Sequence, residues 1–211
     1  MFDMLGSASS VLFLGAHCDD VELGCGATLR RIVRLHPQVD VRIVVMTSTE
    51  ERAAEAKAAA AAFAGDADAV TVLAHRDGHL PWAGSEAKDA LAAAAGRFSP
   101  DLVFTHDRRD LHQDHRFVGE LAWQLFRGAA IVEYEIPKWD GDLGRPNLYL
   151  PADVEDVEHK LRELPRVFPS QAVKPWFDEE LLRGLMRIRG MECGSPSRYA
   201  EAFHASKLVA R

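Results

Sequence analysis

Apolar and polar positions are grouped along the first two-thirds of the chain in blocks rather than alternating residue by residue. "VLFLGA" (11–16) is a continuous apolar run rich in β-formers, the pattern of a strand buried on both faces. Similar runs recur at "VRIVVMT" (41–47), "AVTVLA" (69–74), "DLVFT" (101–105) and "AIVEYE" (130–135). Helical segments lie between them. The first covers about 25–35 and is ended by "HP". "EERAAEAKAAAAAFAG" (50–65) is alanine-rich, acidic at its start and closed by glycine. "SEAKDALAAAAGRF" (85–98) offers Ser85 as an N-cap, and "HRFVGELAWQLFRG" (115–128) again ends in glycine. Strand–helix alternation with short connections predicts a Rossmann-like, three-layer α/β/α fold with a mostly parallel sheet. After Ile136 the pattern changes to a turn-rich loop, "PKWDGDLGRPN", and then two helices at about 153–164 and 178–190. No linker or long repeat interrupts the chain. It reads as one domain over 1–211, with a core at about 10–136 and a lid loop and C-terminal helices at about 137–211.

In open parallel sheets, ligands bind beyond the carboxyl ends of the strands, where the strand order reverses. His17, Cys18, Asp19, Asp20 and Glu22 follow the first predicted strand, and Ser48, Thr49, Glu50 and Arg52 the second. His75, Arg76, Asp77 and His79 follow the third, and "HDRRDLHQDH" (106–115) the fourth. His17, His75, His79, His106, His112 and His115 make six of the nine histidines in these loops, which points to one site on one edge.

The strongest segments are "HCDD" (17–20) and "HQDH" (112–115). A histidine and an aspartate three residues apart can converge on one ion as the chain turns out of a strand. A histidine from the other loop completes a two-histidine, one-carboxylate set with a position left open for water. That leaves one carboxylate in each segment and one histidine for proton transfer, the division of labour metal hydrolysis needs. A glycine-loop reading is weaker. Gly24 and Gly26 have dinucleotide-loop spacing, but Leu29 stands where the third glycine belongs, and no acidic residue ends the second strand.

Composition narrows the function classes. A net charge of −7 argues against nucleic acid, which needs a basic face. No run approaches about 18 apolar residues, so no membrane partner is expected. "MFDMLGSASS" lacks the basic and apolar regions of a signal peptide. The three cysteines, Cys18, Cys25 and Cys193, form no CxxC pair and fit reduced thiols in a cytoplasmic protein.

"AHCDDVE" resembles the AHPDDxE signature of the LmbE-like, or PIG-L, zinc-dependent N-deacetylases, and "HQDH" resembles their HPDH motif. "TSTEER" is similar to the T-x-G-E-x-R after the second strand, and "RDG" to the Asp-Gly after the third. Lys160, Leu164, Ser170–Gln171 and "RIRG......YAEAF" (187–203) resemble the family's C-terminal pattern, so the likeness spans nearly the whole chain. The resemblance implies hydrolysis of an N-acetyl group from an amino sugar or conjugate, releasing acetate. It implies one zinc per chain held by His17, Asp20 and His115, although this donor set also suits Fe(II). It gives Asp19 the role of general base and His112 that of oxyanion stabiliser. Asp114 would orient His112 and keep it protonated. Arg52 and Asp77 match positions near the sugar. Arg108 and Arg109 are candidates for a substrate phosphate or carboxylate, and Trp82 and Trp139 for stacking on a sugar, with Trp139 in the lid loop. Glu133 and Glu135 are candidates for the pocket wall or a subunit contact, and the pattern leaves a homo-oligomer open.

Three positions depart from the family pattern. Cys18 and Gln113 replace prolines, and Thr49 replaces a glycine. Cys18 is expected to point away from the ion while offering a route to oxidant sensitivity. Two other classes compete. A metal-dependent phosphoesterase would want two metals, and ligands are evident for one. A non-catalytic nucleotide- or sugar-binding module has no use for Asp19, His112 and Asp114 together.

Overall fold

The computed structural model describes residues 8–209. Residues 1–7, where most of the signal-peptide reading falls, and 210–211 lie outside the described residues, as do those ends of the one-domain reading. The chain runs β1 (Ser10–Gly15), α1 (Asp20–Leu35), β2 (Asp40–Thr47), α2 (Glu50–Phe63), β3 (Val70–His75), α3 (Gly84–Ala95) and β4 (Leu102–His106). It continues with α4 (Gln113–Leu125), β5 (Ala130–Tyr134), β6 (Leu148–Pro151), α5 (Val154–Val167), α6 (Glu179–Glu192) and β7 (Ala200–Lys207). The seven strands form one sheet in the order β3-β2-β1-β4-β5-β7-β6. The first five pair in parallel, while β7 pairs antiparallel with both β5 and β6. The expected mostly parallel α/β sheet is present.

Burial on both faces explains the apolar runs. Val11, Phe13, Ile43, Val45 and Phe104 turn to the face covered by α1, α2, α5 and α6. Leu12, Leu14, Val44, Met46 and Val103 turn to the face covered by α3 and α4. The order reverses between β1 and β4, which pair as Val11↔Leu102 through Phe13↔Phe104. The loops leaving these two strands carry "HCDD" and "HQDH", so the switch point of the sheet brings the two segments together.

Three local expectations differ from the structure. Ser85 does not cap α3, which begins at Gly84 directly from a 3-10 turn over Leu80–Ala83. β6 and β7 lie in a region read as loop and helices. Helix α1 starts at Asp20, earlier than the periodicity indicates, and is broken at Cys25 (φ −145°, ψ 28°) between Gly24 and Gly26. Among the described residues no helix is long and apolar enough to cross a membrane.

Candidate metal centre and active site

The β1 loop and the start of α4 bring three donors to one point. His17 Nδ1 lies 3.1 Å from His115 Nε2. Asp20 reaches both, with Oδ2 at 3.3 Å from His17 Nδ1 and Oδ1 at 3.5 Å from His115 Nε2. Donors around a tetrahedral ion bonded at about 2.0–2.2 Å stand about 3.3–3.6 Å apart, and the trio approaches that spacing through the two oxygens of Asp20. The outer ring nitrogens are taken by carboxylates: His17 Nε2 bonds Asp77 Oδ1 at 2.9 Å, and His115 Nδ1 bonds Asp110 Oδ2 at 3.0 Å. With those partners taking the outer ring protons, the two inner nitrogens face each other at a separation that a shared proton or a metal ion would bridge. The residues therefore fit a metal ion.

Other groupings exist around the same point. Ligand atoms of His17, His112 and His115 lie within 4.8 Å of one another, as do those of Asp20, His106 and His115, and those of His17, Asp77 and Asp114. Hydrogen bonding separates them. His106 Nε2 accepts from the Ala16 amide at 2.9 Å, so its lone pair is committed, and burial with His115 beside it lowers its pKa to about 4. Asp77 and Asp114 approach the outer nitrogen of His17, at 2.9 and 3.6 Å.

Asp19 and Asp20 are neighbours with opposite electrostatics. Burial raises Asp19 despite the opposing pull of Arg52. Asp20 is also penalised by burial, yet His115, His17 and His106 outweigh it and hold its carboxyl well below the ordinary range. Asp19 Oδ1 accepts from Arg52 at 2.5 Å. Arg52 also donates at 3.0 Å to Glu55 Oε2 and to Ser170 Oγ, and Ser170 in turn donates to Glu55 from its amide and its hydroxyl. Arg52 was expected at the sugar. It lines the cleft, but its guanidinium is engaged in holding Asp19, because α2 begins directly beside the β1 loop. Asp77, expected at the sugar as well, is bonded to His17.

The expected Asp114–His112 carboxylate contact does not form. Asp114 sits in the first turn of α4, and its carboxylate accepts from the amides of Gly78 (2.7 Å) and Leu80 (3.1 Å), tying α4 to the loop after β3. Its own amide donates to His112 Nδ1 at 3.3 Å, so His112 caps the helix and keeps Nε2 for the cleft. Burial, with His115 and His17 close by, lowers His112, and a ring that accepts at Nδ1 carries its proton on Nε2.

A cleft of about 830 Å³ opens over this cluster, lined among others by Asp19, His112, Lys138, Trp139 and Trp176. Trp139 is 76% exposed and meets Trp176 edge-on, with ring centroids 5.2 Å apart. The loop after β5 is anchored beside His115. Lys138 pairs with Asp110 at 3.1 Å and with Asp142, and Asp142 accepts from the Leu111 amide at 2.8 Å. Arg108 does not line the cleft. It bonds Glu133 at 3.0 Å and lies 3.9 Å over the Trp123 ring, because the turn after β4 directs it toward α4 and β5. Arg109 pairs with Asp107, Trp82 lies outside the cleft lining, and Glu135 is bonded to Arg189. Cys18 Sγ turns to Thr47 O and Ser48 Oγ at 3.6 and 3.7 Å. Burial pushes its thiol up to about 11, which disfavours the thiolate that oxidants attack.

Sequence reasoning missed three residues: Asp110, Lys138 and Trp176. Asp110 was visible as a carboxylate two positions before His112, but a bond to His115 cannot be read from spacing. Trp176 lies in a turn-rich stretch without periodicity.

Clustered nitrogen and oxygen donors at the switch point of this fold, with a separate buried carboxylate beside them, suit a metal-dependent hydrolase. The chain belongs to the GlcNAc-PI de-N-acetylase (PIG-L) family, whose model matches residues 12–126, and it is a metal-dependent N-deacetylase. It is similar to the N,N'-diacetylchitobiose deacetylase of Pyrococcus horikoshii in complex with an inhibitor, with 25% identity, coverage of 96% of this chain and 86% of that one, and a TM-score of 0.74. The conserved protein TT1542 of Thermus thermophilus shares the fold at 24% identity, with 95% and 96% coverage and a TM-score of 0.77. So does the 4-carboxy-2-hydroxymuconate hydratase GalB of Pseudomonas putida, at 18% identity, 96% and 98% coverage and a TM-score of 0.70. No curated protein sequence matches the chain.

Proposed function

We propose that the enzyme removes the N-acetyl group of an amino sugar or amino-sugar conjugate, releasing acetate and the free amine. His17, Asp20 and His115 would hold one divalent cation. Zinc is the ion that this two-histidine, one-carboxylate set suits best, with Fe(II) the alternative. When bound, such a cation supplies Lewis acidity and makes water acidic enough to deprotonate near neutrality.

The chain's own groups carry the rest. Arg52 immobilises Asp19 through Oδ1, which leaves Oδ2 to take the proton of the attacking water. The water oxygen bonds to the amide carbon, and the carbonyl oxygen gains charge. His112 meets that charge with its Nε2–H. As the C–N bond breaks, Asp19 returns the proton to the leaving nitrogen. Asp77 and Asp110 keep the ring protons of His17 and His115 on the outer nitrogens. Asp114 acts through the backbone, fixing α4 against the loop after β3. Trp139 and Trp176 offer flat apolar surfaces to a sugar at the cleft mouth. We read the chain as one deacetylase domain, and its unpaired cysteines fit the cytoplasm.

The convergence of three donors at 3.1–3.5 Å beside an arginine-held aspartate carries this reading. Metal analysis of the purified protein with an acetate-release screen over N-acetylated sugars tests it. One bound zinc and release from any of them is the expected result. Absence of metal and of release would overturn it.

A further inference from the structure

The break in α1 is closed by an ion pair from two distant elements. In a regular helix the Ala27 amide donates to the Leu23 carbonyl and the Thr28 amide to Gly24. Here the amides of Ala27 and Thr28 donate to Glu201 Oε1 and Oε2, at 3.0 and 2.7 Å. Lys160 donates to the Leu23 carbonyl at 2.7 Å and to Glu201 Oε1 at 2.7 Å. An ammonium from α5 and a carboxylate from β7 therefore stand between groups that would otherwise bond each other. Lys160 is 2% and Glu201 3% exposed, so the pair satisfies backbone groups that water does not reach.

The separated first turn leads directly to the reacting carboxylates. The Leu23 amide donates to the Asp19 carbonyl at 2.9 Å, and Asp20 opens the helix. The turn is also wedged from the side, since a Cβ on Gly24 would lie 2.4 Å from the Tyr134 ring.

We propose that Lys160 and Glu201 are positioning residues for catalysis: their ion pair, inserted at the break in α1, fixes the angle of the first turn and so aims the Asp19 and Asp20 carboxylates. The inference rests on the deacetylase reading of those two residues.

The test compares Lys160→Met, which keeps volume but releases the Leu23 carbonyl, with Glu201→Gln and with Asp19→Asn. Metal affinity is read by chelator competition, and kcat and KM are read well below the melting temperature. Lys160→Met should weaken metal binding and lower kcat by about ten-fold or more with KM little changed, the scale of outer-shell losses. Glu201→Gln should move both in the same direction by less. If Lys160→Met does not fold, Glu201→Gln decides on the same two scales. Wild-type metal affinity and kcat in the folded variants, with only the melting temperature lowered, would overturn the proposal. Asp19→Asn separates the two readings: full activity there would sink the base assignment, whereas a dead Asp19→Asn beside unimpaired pair variants would sink only the positioning role.

Discussion

At the residue scale, hydrogen-bond partners assign the chemistry. Asp19 and Asp20 are adjacent and equally deep, but one faces an arginine and the other three imidazoles. Asp19→Asn should lower kcat by about 10²–10⁴, the range of a lost general base, with metal content unchanged, as read by acetate release and metal analysis. Asp110 acts at a different level. It accepts from His115, from the His112 amide and from Lys138, so one carboxylate ties His115, His112 and the cleft-side loop together. Asp110→Asn should weaken metal binding by about 10–100-fold, measured against a chelator. His17, Asp19, Asp20, His112 and His115 were legible in two short motifs because local spacing carries them. The partners of Arg52, Asp77, Arg108 and Asp114 were not, since each chose among groups from other loops. Arg108 illustrates the reason: a free guanidinium and one lying over Trp123 look alike in sequence.

At the element scale, the five parallel strands were readable because burial on both faces leaves continuous apolar runs. β7, "AEAFHASK", was not. Its buried Glu201 and His204 find partners in Lys160 and in the Arg145 carbonyl, so polar residues sit where apolar ones would mark a strand. The glycines after the first motif, once a possible phosphate loop, serve packing. Gly24→Ala should destabilise the protein by about 1–3 kcal/mol in denaturant unfolding, because its methyl group meets the Tyr134 ring.

At the scale of the whole molecule, the switch point between β1 and β4 and the loops after β5 and α5 together make a cleft. Trp139 and Trp176 come from loops 37 positions apart in the chain (176 − 139) and meet only at its mouth. Trp176→Ala should raise KM for a conjugated substrate while leaving kcat nearly intact, since the ring lies away from the reacting bond. Removing the metal with a chelator should abolish acetate release, and zinc should restore it. The melting temperature should fall as well, because an ion at about 100 times its Kd adds about 2.7 kcal/mol to stability by mass action.

The sequence by itself determined the family, the parallel core and which histidines and carboxylates leave the ends of β1 and β4, because these depend on residue type and short spacing. Only the tertiary structure decided which carboxylate serves which histidine, that Asp114 acts through amides, and that an ion pair stands in the broken helix. Those outcomes follow from competition among polar groups that burial forces to find partners, and residues far apart in the chain enter that competition only once the sheet has brought their loops together.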